Sequence, residues 1–136
     1  MKAYTVVAAV IIEDNKILCM QRKESKYDYI SLKWEFPGGK IEKGENERQA
    51  LIREIKEELN LEIEIKGKLL TVEHQYPDFA LTMHTFLCQP LANELTLNEH
   101  IAFKWLSKED IEQLDWAAAD LPIVKTLMAN SVYEYL

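Results

Sequence analysis

Four glutamates are spaced so that a helix would bring them onto one strip of its surface: Glu47, Glu54, Glu57 and Glu58. On a helical wheel, at about 100° per residue, the adjacent arc is apolar and would form the core face with Leu51, Ile52, Ile55 and Leu59. Like charges three or four positions apart on a helix repel by about 0.2–0.5 kcal/mol per pair. A divalent cation bound between the glutamates would turn this repulsion into a net attraction, and carboxylate oxygens suit Mg²⁺ or Mn²⁺. The alternative is a solvated acidic face in which Arg53 pairs with Glu57.

A glycine-rich segment, Pro37-Gly38-Gly39, precedes this helix and favours the cation site. Glycine lets the backbone approach a ligand closely, so carbonyls become available to a metal ion and N–H groups to an anion. Lys40 follows as a point charge able to reach a phosphate. Gly44 lets the chain turn before Glu45.

Residues 39–61 resemble the Nudix box, the signature of the Nudix hydrolase family. The signature requires Gly, then Glu, then Arg-Glu-aliphatic, Glu-Glu, Gly and an aliphatic residue at fixed spacings. In this sequence those positions are held by Gly39, Glu45, Arg53-Glu54-Ile55, Glu57-Glu58, Asn60 and Leu61. Asn60 stands where the family has Gly, and Asn is second to Gly in tolerating the left-handed conformation at a helix end.

The resemblance implies an enzyme that cleaves a nucleoside diphosphate linked to another group, with Mg²⁺ or Mn²⁺ as cofactor. It implies an α/β fold, an α/β/α sandwich with a mixed β-sheet, and we expect residues 1–136 to form a single domain. Phosphoanhydride hydrolysis needs charge neutralisation and an activated water, which a metal–carboxylate cluster can supply. The implied metal ligands are the Gly38 carbonyl and the carboxylates of Glu54, Glu57 and Glu58.

The same resemblance implies roles for the residues around these ligands. Arg53 would orient the carboxylates, and Glu45 would hold the preceding loop through Arg53. The general base in relatives is often the first Glu of the run, here Glu54. Some relatives use a Glu from a later loop, where this chain has Glu99. The alternative for Glu99 is an ordinary turn residue.

The similarity to MutT-type members of the family extends over nearly the whole chain. These enzymes hydrolyse nucleoside triphosphates to the monophosphate and pyrophosphate. MutT itself acts on 8-oxo-dGTP and reads the purine with an Asn before the last helix, where this chain has Asp120. A carboxylate accepts hydrogen bonds, which suits the exocyclic amino group of cytosine. The turn Ala119-Asp120-Leu121-Pro122 resembles the CTP pyrophosphohydrolase branch, although Asp120 could instead cap the last helix.

We therefore expect a Mg²⁺-dependent nucleoside triphosphate pyrophosphohydrolase acting on CTP, dCTP or modified cytosine nucleotides. An 8-oxo-dGTP diphosphatase and a catalytically silent Nudix domain that senses a nucleotide are the alternatives. Arg22 and Lys40 are candidate phosphate contacts, with a surface loop as the alternative for Arg22. Candidates to stack on the base are Trp116, Tyr76 and Phe79, with the core as the alternative.

The apolar periodicity predicts the elements that must position these groups. Strands are expected over residues 4–12, 16–21, 34–36, 61–73, 79–89 and 101–106, with a loop over 22–33. Pro37-Gly38-Gly39 is expected to break the chain after the third strand. Helices are expected over 46–59, from a Ser107 cap, and over 121–133.

The composition limits the partners and the compartment. Sixteen Lys and Arg against 23 Asp and Glu give a net charge of −7, without the basic stripe of a nucleic-acid polymer binder. We expect Cys19 and Cys88 to be core thiols in a reducing compartment, and the isolated His74, His84 and His100 to be structural. No apolar run approaches the roughly 20 residues of a membrane span. We therefore expect a cytoplasmic protein without membrane contacts; the sequence leaves its oligomeric state open, a homodimer included.

Overall fold

The structure is a computed structural model that describes residues 1–130. Its strands are β1 (Lys2–Glu13), β2 (Lys16–Gln21), β3 (Trp34–Glu35), β4 (Gly38–Lys40), β5 (Ile63–Gln75), β6 (Phe79–Pro90) and β7 (Ala102–Leu106). Its helices are α1 (Glu47–Leu59) and α2 (Leu121–Ala129), with short 3₁₀ turns at Ile111–Gln113 and Ala118–Asp120. The end predicted for the last helix, at Tyr133, lies outside the described residues.

The strands form one mixed sheet with β1 at its centre, in the order β3-β2-β1-β6-β5. β1 runs parallel to β6, and its other partners are antiparallel. On its second edge β1 pairs with β4 through Val7 and Gly39, and with β2 through Ile12 and Ile17. β7 pairs with β2. The Gly-rich segment is therefore held directly against the central strand.

Each face of the sheet is covered by a helix. From Val7 to Ile12, β1 is buried on both faces, as its continuous apolar run predicts. One set of its alternating side chains packs in the cluster that contains α2 residues: Ala8, Val10 and Ile12. The other set packs with the apolar residues of α1: Val7, Ala9 and Ile11. The predicted α/β/α sandwich with a mixed sheet is confirmed.

Local hydrogen bonds explain where α1 begins and ends. At its N-terminus, Asn46 Oδ1 accepts the Gln49 N–H at 2.9 Å, and Gln49 Oε1 accepts the Asn46 N–H at 3.0 Å. At its C-terminus, Asn60 adopts the left-handed conformation, with φ 51° and ψ 41°. The prediction that Asn60 replaces the family's Gly in this conformation is confirmed.

The buried face of α1 differs from the predicted arc. Its buried residues are Ala50, Leu51, Ile55, Glu58 and Leu59. Ile52 is 41% exposed, so its assignment to the core is wrong. The helix is rotated so that Glu58 faces the sheet, and Ile52 lies at the solvent margin of the apolar stripe. A carboxylate is thereby carried into the interior.

Two further predictions about local structure are wrong. Residues 38–40, expected to be a break in the chain, form strand β4. The helix expected from Ser107 is reduced to a 3₁₀ turn, because the Ser107 hydroxyl donates to the Asp110 carboxylate at 3.0 Å instead of capping a helix N-terminus. The residues 22–33 form a loop as predicted. Within residues 1–130 no helix is long and apolar enough to cross a membrane.

Candidate active site

Arg53 lies at the centre of a group of carboxylates on and before α1. Its Nε donates to Glu45 Oε2 at 2.6 Å and its Nη2 donates to Glu45 Oε1 at 2.9 Å. Its Nη1 donates to Glu54 Oε1 at 2.9 Å and to Glu57 Oε2 at 3.2 Å. Nη2 also donates to the carbonyl of Lys40 in β4, at 3.0 Å. One guanidinium thus fastens the loop, the helix and β4 together, and its hydrogen bonds lower the pKa of Glu45.

Two glycines of β4 allow α1 and β1 to come this close. A Cβ on Gly38 would overlap the carbonyl oxygen of Val7 in β1. A Cβ on Gly39 would overlap the Glu54 carboxylate. The first contact is with backbone and the second with a side chain of the candidate site. Gly44 supplies the turn before α1 with φ 88°, which an L-residue rarely adopts.

Glu58 is a buried carboxyl beside this group, with 4% of the residue exposed. Its Oε1 accepts the Gly38 N–H at 3.0 Å. Burial, together with the nearby charges of Glu35, Glu54 and Glu99, raises the pKa of Glu58 to about 9. Burial also raises the pKa of Glu54. The site therefore gathers carboxyl groups where water solvates them poorly, and a bound cation would favour their charged forms.

The chemistry of these donors fits a hard divalent ion, because every side-chain donor is a carboxylate oxygen. Glu54 and Glu57 direct an oxygen towards Arg53, and the Glu57 side chain is 58% exposed. Among residues 1–130, no three His, Cys, Asp or Glu side chains are arranged as a metal-binding group. The described residues therefore supply suitable ligands around a guanidinium, rather than an assembled coordination sphere.

Glu99 lies at the exposed end of the loop that precedes β7. Its neighbour Asn98 anchors this loop to the end of α1, because Asn98 Nδ2 donates to the Glu57 carbonyl at 2.8 Å and its N–H donates to the Glu58 carbonyl at 3.1 Å. The charge of Glu99 acts on both Glu54 and Glu58. The loop is thus attached to the carboxylate helix, and Glu99 lies within electrostatic reach of the two glutamates.

A cavity of about 950 Å³ opens beside β4. It brings together five of the residues proposed to contact a nucleotide: Arg22, Lys40, Tyr76, Phe79 and Asp120. The Lys40 ammonium lies 4.3 Å from the centre of the Tyr4 ring. Arg22 Nη1 donates to Glu35 Oε1 at 3.3 Å, with 39% of its side chain exposed. The cavity therefore combines cationic groups and aromatic rings with two carboxyl groups, those of Glu35 and Asp120, which we call its floor.

Asp120 is a buried carboxyl at this floor, with 5% of the residue exposed. Its Oδ1 accepts the Phe36 N–H at 3.0 Å. It makes no side-chain hydrogen bond to the start of α2, so the alternative in which it caps that helix is wrong. Burial, followed by the nearby charge of Glu35, raises the pKa of Asp120 well above its usual value.

Trp116 does not lie with the cavity-lining residues. Its ring stacks on Phe36 with centroids 4.7 Å apart, and its Nε1 donates to the Ile111 carbonyl at 2.7 Å. Only 6% of the residue is exposed. Both the ring and the indole N–H of Trp116 are therefore engaged in contacts inside the protein. The stacking role predicted for Trp116 is therefore replaced by a core role.

Glu35 and His100 belong to this site and were not predicted from the sequence. Glu35 lines the cavity between Arg22 and Asp120. His100 was expected to be an isolated structural residue, yet its Nε2 lies 2.9 Å from Glu35 Oε2 and its Nδ1 3.7 Å from Glu58 Oε2. The available signals were the alternation of β3, which buries Trp34 and turns Glu35 to the other side, and the position of His100 next to Glu99.

The chain is similar to known proteins over most of its length. The NUDIX domain family model matches residues 2–127. The CTP pyrophosphohydrolase of Escherichia coli K12 is 37% identical over 95% of this chain and 94% of its own length. A putative 8-oxo-dGTP diphosphatase 2 of Mycobacterium tuberculosis is 34% identical over 85% of this chain and 81% of its own length.

Solved structures show the same fold. The solution structure of the E. coli ORF135 protein superposes with a TM-score of 0.79 and 36% identity, over 95% of this chain and 91% of that one. The solution structure of a MutT protein of the Nudix family from methicillin-resistant Staphylococcus aureus superposes with a TM-score of 0.73 and 42% identity, over 95% of this chain and 98% of that one.

Proposed function

The chain belongs to the Nudix family of hydrolases, and we propose that it is a Mg²⁺-dependent pyrophosphohydrolase of cytosine nucleoside triphosphates. The substrate would be CTP, dCTP or a modified cytosine nucleotide, and the products the monophosphate and pyrophosphate. Nudix hydrolases generally use divalent metal ions. The similarity to a CTP pyrophosphohydrolase over 95% of the chain supports the proposal, as does the character of the cavity.

The observation that carries the cytosine proposal is the Asp120 carboxyl at the cavity floor. Its Oδ1 is fixed by the Phe36 N–H, so the group is held in one orientation. A carboxyl oxygen that faces the cavity suits the exocyclic amino donor of cytosine. Tyr76 and Phe79 offer ring faces to a base from the same cavity.

The phosphates would lie towards β4, which lines the cavity and is hydrogen-bonded to Glu58 of α1. Arg22 and Lys40 both line the cavity and provide positive charge, and Lys40 belongs to β4 itself. The Gly38 carbonyl with Glu54, Glu57 and Glu58 would hold Mg²⁺ or Mn²⁺, and Arg53 would orient these carboxylates. The bound ion would neutralise phosphate charge and activate a water. Glu54 or Glu99 would accept the proton of that water.

A second candidate function is hydrolysis of 8-oxo-dGTP, which the names of several relatives favour. The experiment that separates the two is kcat/KM measured with Mg²⁺ on CTP, dCTP, 5-methyl-dCTP, 8-oxo-dGTP and the four common purine nucleotides. We expect kcat/KM to be highest for the cytosine nucleotides. A strong preference for 8-oxo-dGTP over every cytosine nucleotide would contradict it. No hydrolysis of any nucleotide would favour a silent nucleotide sensor, which the retained Glu54, Glu57 and Glu58 argue against.

A further inference from the structure

We propose that His100 is a positioning residue, which fixes the buried Glu58 carboxyl group of α1 relative to Glu35 at the cavity wall. The inference rests on the proposed function, because it concerns how the same site is kept ready for a metal ion and a nucleotide. His100 acts through these two glutamates. It does not itself line the cavity, as far as residues 1–130 are concerned.

The hydrogen bonding of His100 is asymmetric. Nε2 lies 2.9 Å from Glu35 Oε2, and since a carboxylate accepts, this contact places a proton on Nε2. Nδ1 points to Glu58 Oε2 at 3.7 Å. Among the buried side-chain nitrogen and oxygen atoms of residues 1–130, Nδ1 alone has no hydrogen-bond partner. A buried polar atom without a partner costs free energy, so its position beside Glu58 calls for a reason other than packing.

The two neighbours of His100 extend the contact in opposite directions. Glu35 Oε1 accepts from Arg22 Nη1 at 3.3 Å, on the cavity side. Glu58 Oε1 accepts from the Gly38 N–H at 3.0 Å, on the β4 side. His100 is therefore in the middle of a series of contacts that runs from Arg22 through Glu35, His100 and Glu58 to the Gly38 N–H of β4. The series joins the nucleotide-binding wall to a candidate metal ligand.

The position of His100 places it beside both Glu35 and Glu58. It is 8% exposed, lies just before β7, and follows Glu99 in the loop that Asn98 fastens to α1. Loss of the imidazole would remove the group between Glu58 and Glu35, and each side chain would then be held from one side only, by Gly38 or by Arg22. Residues that orient metal ligands in this way are often as sensitive to mutation as the ligands themselves.

Three substitutions separate the two contacts of the ring. His100→Gln can place an amide nitrogen near the Nε2 position, facing Glu35. His100→Asn can place one near the Nδ1 position, facing Glu58. His100→Leu removes both. The readouts are Mn²⁺ binding to the nucleotide-free protein by electron paramagnetic resonance, thermal unfolding, and kcat and KM for CTP with Mg²⁺.

We expect His100→Leu to weaken Mn²⁺ binding by about tenfold or more. His100→Asn should retain most of the Mn²⁺ affinity and raise KM, because the Glu35 contact is lost. His100→Gln should show the reverse pattern, weak Mn²⁺ binding with KM closer to wild type. His84→Leu is the matched control: His84 contacts Lys68 and Thr71 and lies 3.8 Å from Glu47. None of these three residues lines the cavity or is an implied metal ligand, so the loss of His84 should leave Mn²⁺ binding unchanged.

Equal Mn²⁺ affinity in all three variants and wild type, with only the melting temperature lowered, would reduce His100 to a packing residue and overturn the proposal. So would a wild-type protein that binds no Mn²⁺. If His100→Leu fails to fold, the contrast between the Asn and Gln variants decides. Failure of the proposed function has a different signature: no nucleotide is hydrolysed, while the pattern of Mn²⁺ affinities remains.

Discussion

Arg53 and Glu45 are joined by two parallel hydrogen bonds, Nε to Oε2 at 2.6 Å and Nη2 to Oε1 at 2.9 Å. A paired geometry of this kind is specific to the planar guanidinium, which presents two N–H groups to one carboxylate. The same guanidinium also donates to the Glu54 carboxylate and to the Lys40 carbonyl, so it joins the loop before α1 to the helix and to β4. The position of the whole carboxylate group therefore depends on one side chain.

We predict that Arg53→Lys lowers kcat/KM by about tenfold to a hundredfold, in the range for residues that orient metal ligands. Lysine keeps the charge but cannot bond both oxygens of Glu45 while also reaching Glu54. Steady-state kinetics with circular dichroism will measure the effect and the fold. Arg48→Lys is the control on the same helix, since Arg48 lies over the Phe86 ring 5.3 Å away. Equal activity in both variants would contradict the role given to Arg53.

Three glycine-to-alanine substitutions should have three different outcomes. Gly39→Ala should keep the fold but lose activity, because the new methyl group displaces the flexible Glu54 carboxylate. Gly38→Ala should fold poorly, because its methyl group meets the rigid backbone of Val7. Gly67→Ala should be close to neutral, since no atom lies within 4 Å of its Cβ position. Melting temperature and kcat measured side by side test this, and an active Gly39→Ala would refute the Glu54 contact.

We predict that the metal-free protein becomes less stable as the pH rises. Glu58 has a pKa of about 9 in the folded state against 4.5 as its ordinary value. Between these pH values the folded state binds the proton and the unfolded state has lost it, so the free energy of unfolding falls with pH. The slope for one such proton is at most about 1.4 kcal/mol per pH unit. Asp120, whose pKa is also raised by burial, contributes with the same sign.

Urea unfolding in the presence of EDTA, from pH 5.5 to 8.5, measures this slope. Glu58→Gln removes the titrating group and should flatten the curve in part, with the remainder due to Asp120. Glu62→Gln is the control, because Glu62 is half exposed and paired with Lys56 at the surface. A Glu58→Gln curve parallel to that of wild type would show that Glu58 does not change its protonation on unfolding in this range.

Asp120→Asn tests the choice of base. The Asn oxygen can still accept the Phe36 N–H, so the fold should be retained, whereas its amide presents a donor where the carboxyl presented an acceptor. We predict a selective loss on cytosine nucleotides of about tenfold to a hundredfold in kcat/KM, the effect of about 1–3 kcal/mol for one base contact. The same fractional loss on every nucleotide would show that Asp120 supports the wall of the cavity without reading the base.

Local rules predicted the parts of the fold that depend on neighbouring residues. The apolar run of β1 predicted a strand buried on both faces, and Asn60 predicted the left-handed end of α1. The helical wheel wrongly placed Ile52 in the core, because the angle at which a helix meets its sheet depends on tertiary packing. Residues 38–40 form a strand for a similar reason: β1 supplies the partner, and local propensity contains no information about that partner.

The candidate site divides in the same way. The carboxylates and Arg53 are close in sequence, so one motif was enough to bring them together. Glu35 and His100 come from strands and loops separated by 65 positions in the chain, and they meet because of the sheet topology. Trp116 was assigned to the base because its ring suits stacking, yet the ring is occupied by Phe36. Contacts between distant segments required the structure.

The most direct test of the account is to follow the products of CTP by ³¹P NMR with Mg²⁺ present. We predict equimolar CMP and pyrophosphate, with no reaction in EDTA and losses of several orders of magnitude in folded Glu54→Gln and Glu57→Gln proteins. Absence of these products from CTP with either Mg²⁺ or Mn²⁺, or near-normal turnover by Glu57→Gln, would contradict it.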